Sequence, residues 1–510
     1  MTLTRRGLVA GGLTLAAGTR MLRAGSARAE SGAVTIAFNV GLPAWDPTVG
    51  GSAVNPTIQA IYQSVFDQFI GQDPDLSFAP GILEKWGWND AGNAIWMDVR
   101  KGVVWHDGSP LTPDDIVWSL TRAGDPKGGN PIQFIWGNLH DFKVEGQRVT
   151  AQAKQYDPVL FKWMAFLTGY VLPRAYYEKV GPDGFVAKPI GSGPFRLLEY
   201  ERGARIVLGA YEGYWRGPAK IKRLIFQIVK DPVTRAAAIQ SGQADITINL
   251  EVREVERLSK LPGLAKYLDS NTGITFVQMV NEGVLKDKNV RLACHHALDK
   301  VAISRVLFGG HATPVWLPAG PGMVEYVPGF KIKYDPKQAE ALLAKSGYSR
   351  SKPVQFKFYT TKGVFPADYD MARIIVQMWR KVGIEADLQP LEAAQFAEYM
   401  RKARFDGPVL KAFHPDAGDP ATYSGFMLDP KSFLSIWKSD DIPPRLYPLM
   451  QEVDEKERIK GFQKFDMWAV EQGYSIPMFM GLSTVVAKTS LHFIPYRSGI
   501  LNPYGWSQPI

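Results

Sequence analysis

The sequence predicts an α/β protein of about three domain-sized units, and three observations point there. The chain has 510 residues, enough to bury a large core, and its 45% hydrophobic and 21% charged content is that of an ordinary globular protein. Residues from about 281 to 475 alternate helical and extended patterns. Extended stretches then recur after the last long helix, at Ile476–Met480 and Thr484–Ala487.

The N-terminus reads as an address rather than as part of the fold. Thr4-Arg5-Arg6-Gly7-Leu8-Val9 is a twin-arginine pattern, a mildly apolar stretch runs from Leu8 to Gly18, and Ala27-Arg28-Ala29 offers a small-residue cleavage site. The low hydrophobicity of that stretch, with Arg20, Arg23 and Arg28 after it, fits Tat export better than Sec. Cleavage after Ala29 removes five of the 59 basic residues and none of the 50 acidic ones, so the net charge falls from +9 to +4. With no basic run, that balance gives no argument for nucleic acid. No run reaches the roughly 18 apolar residues of a membrane span. The single Cys294 excludes an intrachain disulfide framework.

Taken in order, Val34–Asn39 reads as an edge strand of a first sheet. Asn55-Pro56 starts a helix whose apolar positions Ile58, Ile61, Tyr62, Val65, Phe66 and Phe69 keep the helical period. Residues 122–180 are broken by Pro and Gly and yield no clear elements. In Gly191-Ser192-Gly193-Pro194, Pro194 removes a backbone donor and β-type residues follow, which argues against a phosphate cradle. Strands are expected at Arg205–Leu208 and Leu224–Val229. Asp231-Pro232 caps a helix that Gly242 stops, Asp245–Leu250 is a strand, and Gly273–Val280 is another. Helices are then expected at Val290–Leu307, Pro336–Lys345, Ala367–Val382 and Ala393–Arg401. Strands are expected at Val354–Tyr359, Ile384–Gln389 and Pro408–Phe413, and Asp454 with Glu457 frames a last helix to about Gln472.

The stretch Ala79–Leu120 carries the most specific information. Ile95–Val99 is a β-prone run, His106-Asp107-Gly108 a turn, and Thr112-Pro113-Asp114-Asp115 a helix start with Thr112 as cap and Asp115 as the capping-box acid. Pro80…Leu83-Glu84-Lys85-Trp86, Asp98-Val99-Arg100-Lys101-Gly102-Val103 and His106 through Ile116 together resemble the signature block of solute-binding family 5, the extracytoplasmic peptide/nickel-type receptors of ABC importers. The Gly-x-Gly-Pro turn and the helix–Ser-Gly–strand unit at 231–250 are similar to the family too, so the resemblance runs from about residue 34 to 487. It implies a two-lobed periplasmic binding protein type II fold with an extra subdomain in lobe one. The implied divisions are a signal peptide at 1–29, lobe I at 30–275 with the subdomain at about 71–185, lobe II at 276–476, and a return to lobe I at 477–510.

Candidate chemistry divides on spacing. His106-Asp107 lacks a nucleophile in a recognisable elbow, and the reading favoured is a turn whose histidine is satisfied by backbone. Cys294-His295-His296 are neighbours on a predicted helix, where successive side chains point about 100° apart. They suit a core helix with a buried thiol better than a metal site. Asp114 and Asp115 both lie in a first helical turn and suit capping.

Phe413-His414-Pro415-Asp416-Ala417-Gly418-Asp419-Pro420 is different, because it follows a predicted buried strand and should emerge where binding loops belong. It resembles the family phrase in which the acid matching Asp416 pairs with a ligand's α-ammonium. An Asx-turn acid is the alternative. Phe413 stands where tryptophan is usual, and His414-Pro415 replaces small residues. Tyr423, Trp45 and Trp316 are further aromatic candidates in loops, each also readable as packing.

The expected function is an extracytoplasmic, periplasmic solute-binding protein that traps a short peptide or peptide-like, amine-bearing ligand by hinge closure and delivers it to an inner-membrane ABC permease. No catalysis, metal, cofactor, nucleic acid or direct membrane insertion is expected, and the protein should be a monomer. The alternatives are a receptor for a metal chelate, opine or oligosaccharide, and, of another class, a secreted hydrolase.

Overall fold

The computed structural model of the chain describes residues 32–50, 56–414 and 418–508. The twin-arginine leader, Asn55 and Asp416 lie outside the described residues. The first strand, β1 (Ala33–Phe38), is followed by the helix Gln59–Val65, which ends where Phe66 turns extended. A subdomain follows, made of the hairpin β2 (Gly71–Gln72) and β3 (Phe78–Ala79) and an antiparallel sheet of β4 (Leu83–Trp88), β5 (Ala94–Val99), β6 (Leu139–Glu145) and β7 (Arg148–Ala153). The chain returns through β8 (Phe195–Glu201), β9 (Arg205–Ala210), β10 (Arg223–Ile228), β11 (Ile246–Ile248) and the long β12 (Leu264–Gln278). Lobe II contributes β13 (Val354–Thr361), β14 (Ile384–Leu391) and β15 (Val409–Phe413), and β16 (Ser475–Lys488) brings the chain back.

Ten strands form one sheet in the order β14-β13-β15-β12-β16-β11-β1-β10-β9-β8. β1 lies parallel to both β10 and β11, so it is an interior strand rather than the edge strand expected. Val34, Ile36 and Phe38 are fully buried, and the second neighbour covers what an edge would leave to solvent. β12 and β16 belong to both lobes. Leu264–Asn271 pairs with Gly481–Lys488 on the lobe I side, and Ile274–Gln278 pairs with Ser475–Met480 on the lobe II side, with a register shift between Asn271 and Ile274. The sequence reading has β12 starting at Gly273 and β16 as two pieces. The polar run Lys266–Asn271, Lys-Tyr-Leu-Asp-Ser-Asn, hides the first half of β12 from a hydrophobicity argument.

Helix limits follow their caps. Thr112 and Asp115 form a capping box for Pro113–Ala123, and Asp231 accepts the Thr234 N–H at the start of Pro232–Gln240. The single helix expected over Val290–Leu307 is two, Lys288–His296 and Lys300–Phe308, because Asp299 caps the second by accepting the Ala302 N–H. Helices at Ala421–Met427 and Pro443–Gln451 are additions. Cys294 is buried and unoxidised, and its helix is a core helix, with His295 buried beside it and His296 half-buried against the Lys333 carbonyl. No cluster of three metal-ligating side chains is present among the described residues.

His106 is scaffold. Its Nε2 donates to the Gly193 carbonyl at 3.0 Å, and its Nδ1 accepts the Gly191 N–H at 3.2 Å. Gly191 and Gly193 press against the Val65–Phe66 backbone, where any Cβ would collide, so the Gly-x-Gly here serves close packing. Burial drives the His106 pKa down from 6.5 to about 4. The unfolded chain therefore takes up this proton first as the pH falls, and the stability that His106 contributes above pH 6.5 is lost progressively towards pH 4. Urea midpoints measured across that window should fall for the wild type and fall less steeply for His106→Ala. At neutral pH the variant should be less stable by about 1–3 kcal/mol, because two backbone groups lose their partner.

Candidate ligand-binding site

Where the sheet passes from one lobe to the other, an open cleft lies between the lobes. Its floor is the crossing itself: Asn271, Gly273–Thr275 and Phe479–Val485. Lobe I adds Phe38, Thr57, Ile248 and Asn249, lobe II adds Val364–Pro366, Met371, Ala412 and His414, and the C-terminal segment adds Ser498–Leu501. The register shift is what opens this floor. Asn271 folds back so that its Oδ1 accepts the Gly273 N–H at 2.9 Å and its Nδ2 donates to Ser483 Oγ at 3.1 Å. Gly481 is obligatory opposite, because a Cβ there would overlap the Asn271 amide.

A second space lies between the subdomain and lobe II. Asp75–Phe78, Lys162, Thr272, Gly322–Glu325, Gly418 and Arg497 line it. The two cavities share the same three chain segments, at 271–275, 414–418 and 497–501.

Beside them sits Asp419, with a fully buried side chain. Its Oδ1 accepts Arg458 Nη1 at 2.6 Å and the Ala421 N–H at 3.0 Å, while its Oδ2 accepts Lys162 Nζ at 2.7 Å. Burial pushes its carboxyl up, but the Arg458 hydrogen bond and the charges of Lys162 and Arg458 outweigh burial and hold it below the usual range. Lys162 belongs to the subdomain helix Leu160–Met164 and also donates to the Gly418 carbonyl at 3.2 Å. The pair Lys162–Asp419 therefore spans the two lobes. Phe134 and Trp163 of the subdomain pack on Phe426 of lobe II nearby, with centroids 5.9 and 5.6 Å apart.

The sequence candidates scatter. Phe413 ends β15 half-buried against Tyr423, and His414 forms part of the main cavity wall. Tyr423 itself is core, 1% exposed and packed on Phe276 at 5.2 Å, and it lines neither cavity. Trp45 is fully buried in lobe I against Tyr200, 5.5 Å away. Trp316 lies between the ammonium groups of Lys300 and Lys331, at 5.3 and 5.0 Å, away from both cavities. Asp419, at the end of the stretch singled out from sequence, carries the cross-lobe ion pair. Nothing short-range in the sequence marks Asn271, Lys162, Glu325 or Arg497.

A profile of the bacterial extracellular solute-binding proteins, family 5 (middle section), matches residues 77–434. The chain belongs to that family. It is 25% identical to heme-binding protein A of Haemophilus influenzae over 461 residues, 84% of this chain and 83% of that protein. It is 27% identical to the dipeptide-binding protein of Escherichia coli over 382 residues, 68% of this chain and 69% of that protein. The fold superposes on the oligopeptide-binding protein of Bacillus subtilis, solved with a nonapeptide, with a TM-score of 0.81 at 19% identity, covering 94% of this chain and 99% of that one. The two-lobed type II binding-protein fold with its extra subdomain in lobe I is thereby shown, and the cleft between the lobes is the place where such a protein holds its solute.

Replacing Lys162 with Met should remove the cross-lobe bond while leaving Asp419 paired with Arg458. The bond is charge-assisted and largely shielded, worth about 1–3 kcal/mol. Small-angle scattering of the variant should show a larger radius of gyration than the wild type, with the melting temperature little changed.

Proposed function

We propose that this family 5 protein captures a short peptide or peptide-like, amine-bearing molecule in the inter-lobe cavity and delivers it to an ABC permease. The observation that carries the reading is a cavity walled by both lobes and floored by the two strands that join them. Rotation of lobe II (276–476) against lobe I (30–275 and 477–510) about those strands opens and closes it.

Asp416 is the proposed partner of the ligand's ammonium, with Phe413 and His414 beside it. His414 and Gly418, on either side of it in sequence, line the two cavities. A carboxylate removed from water by closure makes a strong, charge-assisted bond to an ammonium. The chain makes and breaks no bond in this cycle, requires no cofactor, and acts as a monomer in the periplasm after its twin-arginine leader is cleaved behind Ala29. The kinship with a peptide binder and the fold shared with a peptide complex support the peptide class.

Calorimetry with di- to penta-alanine, their N-acetylated forms and haemin tests the reading. Unmodified peptides should bind, acetylation should weaken them, and Asp416→Ala should weaken them by an order of magnitude or more. An affinity unchanged by D416A removes Asp416 from the site. Binding of haemin with no peptide binding replaces the ligand class.

A further inference from the structure

Three titratable side chains line the second cavity without an ion pair among the described residues: Arg497, Glu325 and Asp75. Arg497 is half-buried, and its backbone is fixed at both ends: its N–H donates to the Pro74 carbonyl at 2.9 Å and its carbonyl accepts the Thr272 N–H at 3.0 Å. Its guanidinium lies over Gly322, whose φ of +87° and missing side chain leave the space it occupies. Among the described residues that guanidinium has no hydrogen bond or ion pair. Asp75, near enough to feel its charge, has Oδ1 taken by the N–H and hydroxyl of Ser77 at 3.0 and 2.6 Å. The other cation in the chamber, Lys162, is committed to Asp419.

Glu325 shares the chamber and is 3% exposed, its carboxyl accepting its own backbone N–H. Burial, with the charge of Asp419 adding to it, raises its carboxyl to about 7. Near neutrality much of it is therefore uncharged, and an O–H faces the space where an unpaired carboxylate would otherwise repel an anion.

A guanidinium with its fork unoccupied matches a carboxylate, which it can grip through two parallel N–H···O bonds. The chamber adjoins the main cavity along Thr272 and Arg497, whose neighbours Asn271, Gly273 and Ser498 line that cavity. We propose that the second chamber is a subsite for a carboxylate-bearing end of the ligand, with Arg497 as its anchor. This rests on the reading of the cleft as a receptor for a peptide-like molecule and adds a requirement for a carboxylate on the ligand.

The test compares di- to penta-alanine as free acids and as C-terminal amides, by calorimetry, on the wild type, Arg497→Gln and Arg497→Lys. The wild type should prefer the acid of at least one length by tenfold or more. R497Q should lose that preference by weakening the acid and leaving the amide unchanged, and R497K should keep part of it. R497Q should melt with the wild type, since the guanidinium bonds no described residue. Equal weakening of acid and amide, or none, overturns the subsite and leaves the peptide reading standing. A wild type that binds neither form overturns the peptide reading and the subsite with it.

Discussion

The pairing of β12 with β16 is the constraint on which the rest of the molecule depends. Each strand is hydrogen-bonded to the other along nearly its whole length, and each lobe's sheet is built outward from one half of that pair. A break in the ladder is therefore forced wherever the two halves turn relative to each other, and it falls between Asn271 and Ile274. The backbone groups freed there find other partners: the Asn271 side chain takes the Gly273 N–H, and Arg497 takes the Thr272 N–H. The same residues that repair the sheet line the two cavities. Hinge and site are one piece of chain, and a change of angle between the lobes must reshape the pocket.

The cross-lobe charge pair works on a different footing. A buried carboxylate between an arginine and a lysine is not in itself strong evidence of stability, because desolvation offsets much of the attraction. What the arrangement does is discriminate. Asp419 keeps Arg458 within lobe II whatever the lobes do, whereas its bond to Lys162 exists only while subdomain and lobe II touch. The contacts that tie the subdomain to lobe II here include Lys162 on Asp419 and Gly418, and Phe134 and Trp163 on Phe426. Only differential contacts of this kind can bias a two-state equilibrium.

Much of the fold was legible because local chemistry and long-range architecture agree. The Thr112–Asp115 capping box, the Asp231-Pro232 start and the helices Pro336–Lys345 and Ala393–Arg401 lie where their residues put them. Elements failed to show where burial comes from a neighbour rather than from an alternating pattern. The polar first half of β12 is a strand because β16 pairs with it, and β6 and β7 lie in a stretch broken by Pro and Gly. Of the site, the loop after β15 could be seen because a buried strand points to it, and His414 does reach the cavity wall. The aromatic candidates misled for a simple reason: a tryptophan or tyrosine in a loop carries enough apolar area to be drawn into whichever core is nearest, as Trp45 and Tyr423 are.

Asn271, Lys162, Glu325 and Arg497 could not be found that way, because each acts through a neighbour more than a hundred residues distant or through none. Arg497 meets Gly322 and Lys162 meets Asp419 only because the C-terminal segment and the subdomain are folded against lobe II. This explains how one scaffold serves many ligands. The strands, caps and glycine contacts that hold the lobes together leave these few polar positions free to differ, and their side chains are turned into water-filled space rather than into the core. Selectivity then depends on which of them is left without a protein partner. In this chain that is the guanidinium of Arg497, which shares its chamber with Glu325, a carboxyl raised to about 7, and with the carboxylate of Asp75.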